Sequence, residues 1–270
     1  MKNLIISVLL VVTLNLFFAC KSDTPTGGGT VNTGSRNGIF FHHSTGMCIW
    51  GPNGGNTTVP AQITAYNTNH NLTGNNAFSL TELWWPDNPN DNNEWERWHR
   101  IFEGQDPGSV INSYLSNNRI IIIKSCFPSS NITGVGQPVD TTDPTLKTIF
   151  NYKWHWRHFL KSMRSNPNNF FVVWTNAPQV QAETTPAEAL LAHQFCTWAK
   201  DTLARGLDPV FGTFPRNVFV FDFFHKLADA NGYLPSQYAS GPNDSHPNAA
   251  ATELVAPLFI QEIFNAFLAQ

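Results

Sequence analysis

The chain has 270 residues and a nearly balanced charge: 16 lysine and arginine residues stand against 19 aspartate and glutamate residues, for a formal net charge of −3. Its basic residues form no cluster in the sequence, which excludes the electrostatic footprint of a nucleic-acid-binding protein or of one drawn to an anionic membrane surface. We therefore expect no nucleic-acid partner.

An export signal is the first predicted element. Lys2 precedes an apolar run over 4–19 that is too short to span a bilayer and is typical of a secretory signal. Ala19 stands directly before Cys20, as in bacterial lipoprotein signals, which are cut there so that the new N-terminal cysteine is lipidated. We expect residues 1–20 to be such a signal and a lipid on Cys20 to be the only membrane attachment in the bacterial cell envelope. A plain cleaved signal and secretion are the alternative.

The rest of the chain predicts a short tether followed by one domain. Residues 21–36 are rich in glycine, threonine and serine, a composition typical of a flexible linker. Residues 37–270 suffice for one α/β domain with a large core but are few for two domains.

Strand and helix patterns alternate along this domain. Continuous apolar runs of four to eight residues are typical of strands buried on both faces, and their alternation with helices predicts a parallel sheet covered on both sides. The predicted strands are 38–42, 77–83, 119–123, 170–174 and 218–221, and the predicted helices are 59–66, 145–164, 186–205 and 249–268.

Residues 84–100 carry four tryptophans among asparagine, aspartate and proline, and they predict a loop inserted at the functional edge of the sheet. Exposed aromatic faces stack on sugar rings, which makes Trp84 and Trp85 candidates for binding a carbohydrate. The alternative is a satellite apolar cluster that pins the loop.

Two separated motifs predict nucleophilic catalysis. Ser44 follows the first predicted strand, and reactive groups in a parallel sheet collect where strands end. A serine hydroxyl needs a base to become a nucleophile, and His246 is a candidate because Pro247 fixes the chain behind it. Asp244 can orient that imidazole, with a Ser-His dyad as the alternative and Asp222 as the reserve acid.

These features together resemble the SGNH/GDSL hydrolases: a serine past the first strand, four further parallel strands, and Asp244-Ser-His-Pro-Asn248 before a C-terminal helix. The resemblance implies a flavodoxin-like three-layer αβα sandwich with a five-stranded parallel sheet, ester hydrolysis, and no cofactor. The chain departs from the family's pattern in two places. His42 and His43 replace the usual Gly-Asp before the serine, and Asn243 occupies the usual place of the acid, one residue before Asp244.

The oxyanion-binding blocks of that family have no unambiguous match, which leaves two candidate regions. Residues 123–132 follow a strand and resemble the lysine-containing loop of some carbohydrate acetylesterases, so Ser125 and Ser129 are candidates there. Asn176 follows another strand and offers a side-chain amide, although it could equally be a turn residue.

The sequence therefore predicts a serine esterase that removes O-acyl groups, O-acetyl in particular, from a carbohydrate or another small ester. The alternative is a non-catalytic carbohydrate-binding lipoprotein that keeps the fold with a degenerate site.

Two further expectations concern cysteine and histidine. Cys48 and Cys126 follow strands that are adjacent in the order 2-1-3-4-5, which predicts a disulfide across the top of the sheet. The histidine pairs 42–43 and 155–158 have no carboxylate-rich partner set in the sequence, so no metal site is predicted.

Overall fold

The computed structural model describes residues 34–51, 58–86 and 94–270. The predicted signal, the lipidation site at Cys20 and most of the predicted tether lie outside these residues.

Five parallel strands form one sheet in the order β2-β1-β3-β4-β5. The observed strands agree with the predicted apolar runs to within two residues at each end, and helices flank the sheet on both sides, so the predicted three-layer αβα architecture is confirmed. The strands are β1 (Asn37–His42), β2 (Ser79–Trp84), β3 (Ile120–Ile123), β4 (Phe170–Trp174) and β5 (Val218–Phe221).

Alternate residues of the central strands face two separate cores. Phe41, Ile121 and Val173 belong to one apolar cluster, whereas Phe40 and Ile122 belong to the other, and all five are at most 2% exposed. Successive strand residues point to opposite faces, so a strand buried on both faces must be apolar throughout. This explains the continuous runs in the sequence.

The other regular elements among the described residues are eight α-helices, a short hairpin and three 3₁₀ helices (Gly74–Asn76, Phe127–Ser130 and Pro138–Thr142). The antiparallel hairpin directly precedes the last helix and carries the Asp-Ser-His motif. The helices are α1 (Ser44–Trp50), α2 (Val59–Asn69), α3 (Glu94–Phe102), α4 (Asn112–Asn117), α5 (Ile149–Arg164), α6 (Pro186–Thr197, continuing as a π-helical turn over Trp198–Leu203), α7 (Phe223–Leu227) and α8 (Ala249–Leu268), and the hairpin strands are β6 (Ala239–Gly241) and β7 (Asp244–Pro247).

Capping side chains set several of these helix boundaries. Thr148 accepts a hydrogen bond from the backbone of Asn151, which starts α5 at Ile149 rather than at the predicted residue 145. α8 spans the predicted residues, with Pro257 inside it. By length and composition alone α8 could span a bilayer, but its apolar face is buried against the sheet through residues such as Phe259.

The prediction of a loop over residues 84–100 is wrong for its second half, which forms most of α3. Trp95 and Trp98 are each 2% exposed, and the Trp95 ring stacks on Tyr152 with 4.2 Å between ring centroids. Both tryptophans and Ile101 recur at a spacing of three residues, which gives α3 one apolar face. Trp95 and Trp98 therefore belong to the main core, rather than to the satellite cluster pinning a loop that the alternative expected.

Candidate active site

Ser44 lies where a parallel sheet presents reactive groups. β1 ends at His42, His43 is extended, and Ser44 is the first residue of α1 and half-buried. Gly46 permits the tight exit from the strand, because a Cβ on it would lie 2.3 Å from the Cβ of His42. A side chain at residue 46 would push α1 away from the sheet and move the serine.

The Ser44 hydroxyl contacts the segment that follows β3. Its Oγ lies 3.0 Å from Sγ of Cys126, and Oγ1 of the neighbouring Thr45 lies 3.1 Å from the same sulfur. The backbone N–H of Phe127 donates to Thr45 Oγ1 over 3.4 Å. The first turn of α1 is thus tied to residues 126–127.

The Asp244 carboxylate holds the imidazole of His246. Asp244 Oδ1 lies 2.5 Å from His246 Nδ1 and also accepts the His246 backbone N–H over 3.0 Å. A carboxylate only accepts, so Nδ1 carries the hydrogen and Nε2 of the neutral ring remains free to take a proton. Partial burial acts to raise the pKa of Asp244, but the N–H donors and charge of His246 outweigh it, and that pKa is lowered.

Ser245, between them, anchors the hairpin from the opposite side. Its Oγ accepts the backbone N–H of Val180 over 2.9 Å, and its own N–H donates to Glu183 over 3.0 Å. The Ser245 hydroxyl donates a second bond to the same carboxylate. Because neighbours on a strand face opposite ways, this anchorage leaves Asp244 and His246 together on the other face.

The nucleophile candidate and the base candidate converge on Cys126 and Phe127. The His246 ring packs edge to face against Phe127, with 4.8 Å between centroids, and Cys126 contacts Ser44. α1 packs against both β7 and α8. The hydroxyl of Thr252 also donates to the Cys48 carbonyl over 2.8 Å. Sequence reasoning missed the contact of Cys126 with Ser44 and that of Phe127 with His246, because no local pattern indicates which side chains a distant loop will meet.

The oxyanion candidates differ in their surroundings. The backbone N–H of Ser129 donates to the Cys126 carbonyl over 2.9 Å, and the residue is 1% exposed, so this N–H is already engaged. Asn176 is 4% exposed, and its Nδ2 has no hydrogen-bond partner among the described residues. It lines a small cavity together with half-buried Ser125 and buried Lys124. The lining of this cavity includes neither Ser44 nor His246, so the Asn176 amide can meet a substrate oxygen only where the cavity opens towards the nucleophile.

The two tryptophans proposed to stack on a sugar are not equivalent. Trp84 is 43% exposed, and its ring lies 5.1 Å from that of His43, next to Ser44. Trp85 is 6% exposed and packs against Phe41 with 4.6 Å between centroids. The stacking prediction is therefore wrong for Trp85, whose faces are covered by the core.

Asp222, the reserve acid, has another partner. Its Oδ1 lies 2.7 Å from His225 Nδ1, and Lys200 lies 3.3 Å from its other oxygen. Burial acts to raise the pKa of Asp222, but the hydrogen bond and charge of His225 together with Lys200 lower it. Asp222 thus serves His225, while Asp244 is the acid that contacts His246.

The predicted disulfide between Cys48 and Cys126 is absent, since Cys48, Cys126 and Cys196 are all thiols in the structure. The location of both residues near the top of the sheet was correct, but a disulfide also requires the two side chains to point at each other. Cys126 directs its sulfur at the hydroxyls of Ser44 and Thr45 instead.

Comparison with known proteins adds a distant likeness of fold. No family model and no curated protein matches the chain. One solved structure that matches is a crystal structure of a candidate acylhydrolase from Bacteroides fragilis, 13% identical, with an alignment that covers 85% of this chain and 87% of that one and a TM-score of 0.47. This likeness is too distant to bear on function, which has to be argued from the residues of this chain.

Proposed function

We propose that this chain is a serine esterase of the SGNH type that removes O-acyl groups, O-acetyl in particular, from a carbohydrate. The single observation that carries the proposal is the 2.5 Å contact between Asp244 and His246. The His246 imidazole also packs on Phe127, and the preceding residue, Cys126, contacts Ser44. An oriented imidazole near a serine at the end of a strand is the arrangement that activates a hydroxyl nucleophile.

The proposed reaction proceeds in two steps. Ser44 Oγ leaves Cys126 and attacks the acyl carbon while His246 Nε2 takes its proton, and Asp244 stabilises the imidazolium. Collapse of the tetrahedral intermediate breaks the ester bond, and the imidazolium returns the proton to the leaving sugar oxygen. Water then attacks the acyl-enzyme with the same base, which releases the carboxylic acid and restores the serine.

The negative oxygen of the intermediate needs preorganised donors. The backbone N–H of Ser44 is one, and the partnerless Asn176 amide or the loop around Ser125 supplies another. Removing one such donor typically costs about 100- to 1,000-fold in kcat.

The carbohydrate part of the proposal is supported by Trp84, the exposed aromatic residue beside the site. The predicted lipid anchor at Cys20 belongs to the same proposal, because it would hold the enzyme at the cell envelope.

A second candidate is a carbohydrate-binding lipoprotein without activity. It is favoured by the Ser44 hydroxyl, which contacts the Cys126 thiol, and by the Ser129 N–H, which is already engaged. In that case Trp84 would bind sugar and no acyl-enzyme would form.

The discriminating experiment is labelling of the full chain by a fluorophosphonate probe, alongside hydrolysis of an aryl acetate. We expect stoichiometric labelling that Ser44→Ala abolishes, together with its hydrolytic activity, while Ser116→Ala on α4 behaves like the wild type. Labelling that persists in Ser44→Ala would refute the nucleophile assignment. Wild-type protein that neither labels nor hydrolyses would favour the binding protein.

A further inference from the structure

A group of metal-ligating side chains lies between α3 and α5, on elements other than those that carry Ser44 and His246. His99 is near the end of α3, Glu103 lies one residue past it, and His158 is on α5. Glu103 Oε1 lies 3.0 Å from His99 Nε2 and 2.9 Å from His158 Nδ1. The three ligand atoms all lie within 4.8 Å of one another.

The hydrogen bonds behind this group define which nitrogen of His99 carries its hydrogen. His155 Nε2 lies 2.9 Å from the Pro144 carbonyl, which can only accept, so Nε2 carries a hydrogen. His155 is 1% exposed and has no carboxylate partner among the described residues, so its ring is neutral and its Nδ1 is an acceptor. His99 Nδ1 lies 2.9 Å from that acceptor and therefore donates to it.

The consequence is an unpaired acceptor at the centre of the group. With its hydrogen on Nδ1, neutral His99 has a lone pair on Nε2, and this buried atom has Oε1 of Glu103 as its neighbour at 3.0 Å. His99 is 5% exposed, and the atom that faces its Nε2 is a carboxylate oxygen of Glu103, itself an acceptor. Two acceptors 3.0 Å apart need either a shared proton or a metal cation between them, and the second imidazole at the same oxygen favours the metal.

The surrounding side chains hold the imidazoles in place. The Trp154 ring packs on both His99 and His158, with 4.7 and 4.6 Å between centroids. The neighbouring cation, Arg100, is engaged by Glu96 through two hydrogen bonds of 2.8 Å. A ligand histidine whose second nitrogen donates to a fixed partner is the usual surrounding of a bound metal ion.

We propose that His99, Glu103 and His158 bind a Zn²⁺ ion that joins α3 to α5. His99 would bind through Nε2, Glu103 through Oε1 and His158 through Nδ1, with water as the fourth ligand. Two imidazoles and a carboxylate are a donor set that suits zinc. Ligand atoms about 2.0–2.2 Å from a common ion lie about 3.3–3.6 Å apart, so the two short contacts need to open by only a few tenths of an ångström.

Binding also has a proton balance. The hydrogen that His158 shares with Glu103 must leave Nδ1 before that atom can bind the ion. The His158 side chain is 31% exposed, so water can carry this hydrogen from Nδ1 to Nε2. The ion adds a cross-link between two helices and takes no part in the ester hydrolysis proposed for Ser44.

The test is zinc binding by the full chain after treatment with EDTA, measured by calorimetry and by competition with a chromophoric chelator. We expect one Zn²⁺ per chain and a rise in Tm that grows with the zinc concentration. His158→Ala and Glu103→Gln alter partly exposed side chains and should each weaken binding at least about tenfold. His70→Ala, directly after the end of α2, is the matched control and should bind like the wild type.

A spectroscopic readout separates this site from unspecific binding by other histidines. Co²⁺ in place of zinc should give the visible absorption of a four-coordinate ion, and His158→Ala should lose it. Absence of stoichiometric binding in the wild type would overturn the proposal, and so would binding that both variants leave unchanged. Ser44→Ala should bind zinc normally, so failure of the esterase proposal is distinguishable from failure of this one.

Discussion

The phenyl ring of Phe127 packs edge to face against the imidazole of His246, with 4.8 Å between the ring centroids and 85° between the ring planes. Phe127 directly follows Cys126, whose sulfur lies 3.0 Å from Ser44 Oγ. Two consecutive residues after β3 therefore contact the candidate nucleophile and the candidate base. The strand order makes this possible, because β3 lies beside β1 and the segment after it emerges next to the serine.

Replacing Phe127 with alanine should lower kcat for an aryl acetate by about 10- to 100-fold, since the His246 imidazole would no longer be held in the orientation needed to take a proton from Ser44. The stability of the fold should change less, because Phe127 is only half-buried. Phe127→Leu fills part of the space without the flat ring, and its kcat should lie between those of the wild type and Phe127→Ala. Unchanged kcat in a folded Phe127→Ala protein would remove this residue from the site.

Replacing Asp244 with asparagine should lower kcat by at least about tenfold. A buried orienting aspartate is worth about 10⁴-fold in serine proteases, and we expect less here because the Asp244 side chain is 46% exposed. Adding Asn243→Asp to this variant restores a carboxylate one residue away. Partial recovery of kcat would indicate that the charge matters, and full activity of Asp244→Asn alone would indicate a Ser-His dyad.

The lowered pKa of Asp244 gives this variant a pH signature. A carboxylate whose pKa is depressed in the folded protein stays charged above the ordinary value of 3.8, and its pairing is lost only as the pH falls through the lower, folded value. Any loss of wild-type activity above about pH 4 must therefore come from another group. A limb above about pH 4 in the wild-type profile of kcat/KM should therefore persist in the profile of Asp244→Asn, because Asp244 does not titrate in that range.

Trp84→Ala tests the carbohydrate assignment. An exposed aromatic face contributes about 0.5–1.5 kcal/mol to a stacked contact, so KM for an acetylated oligosaccharide should rise about three- to tenfold. Both kcat and KM for a small aryl acetate should change less, because that substrate has no sugar ring to stack on Trp84. Trp84→Phe keeps an aromatic face, so its KM for the oligosaccharide should rise less than that of Trp84→Ala. Equal changes for both substrates would argue against a sugar-binding role.

The sequence predicted most of the fold, because the signals for it are local. The strand Phe170–Trp174 has the same first and last residues as predicted, since a short continuous apolar run is typical of a strand buried on both faces. The loop predicted over residues 84–100 was wrong where α3 forms. Asparagine and aspartate before α3 suggested a loop, and the helix that carries Trp95 and Trp98 has only nine residues. Short amphipathic helices give weak patterns.

The candidate site was predictable where its members are neighbours in sequence. Asp244 and His246 are two residues apart, so their contact follows from one short motif. The contact of Phe127 with the imidazole depends on which face a loop presents, and no local pattern indicates that. The same reason explains the missing disulfide at Cys126 and the unforeseen meeting of His99 with α5.

Asp208 offers a test of the fold that is independent of the site. This carboxylate is 2% exposed and accepts two hydrogen bonds from Arg157, one from the Trp198 indole and one from the Phe211 backbone over 2.8 Å. It joins α5 to the π-helical end of α6. Asp208→Asn leaves the Arg157 guanidinium without its charged partner and should lower the free energy of unfolding by about 3 kcal/mol.

The pH dependence of that loss has a defined window. Burial acts to raise the pKa of Asp208, but the Arg157 guanidinium and the N–H donors lower it from 3.8 to about 2. A depressed folded pKa contributes stability that is present above pH 4 and lost as the pH falls towards 2, about 2 kcal/mol in all. Urea unfolding of the wild type should show this decline, and Asp208→Asn should lack it. Asp201→Asn, on the exposed surface, should follow the wild-type curve; a decline of equal size in Asp208→Asn would show that other carboxylates cause it.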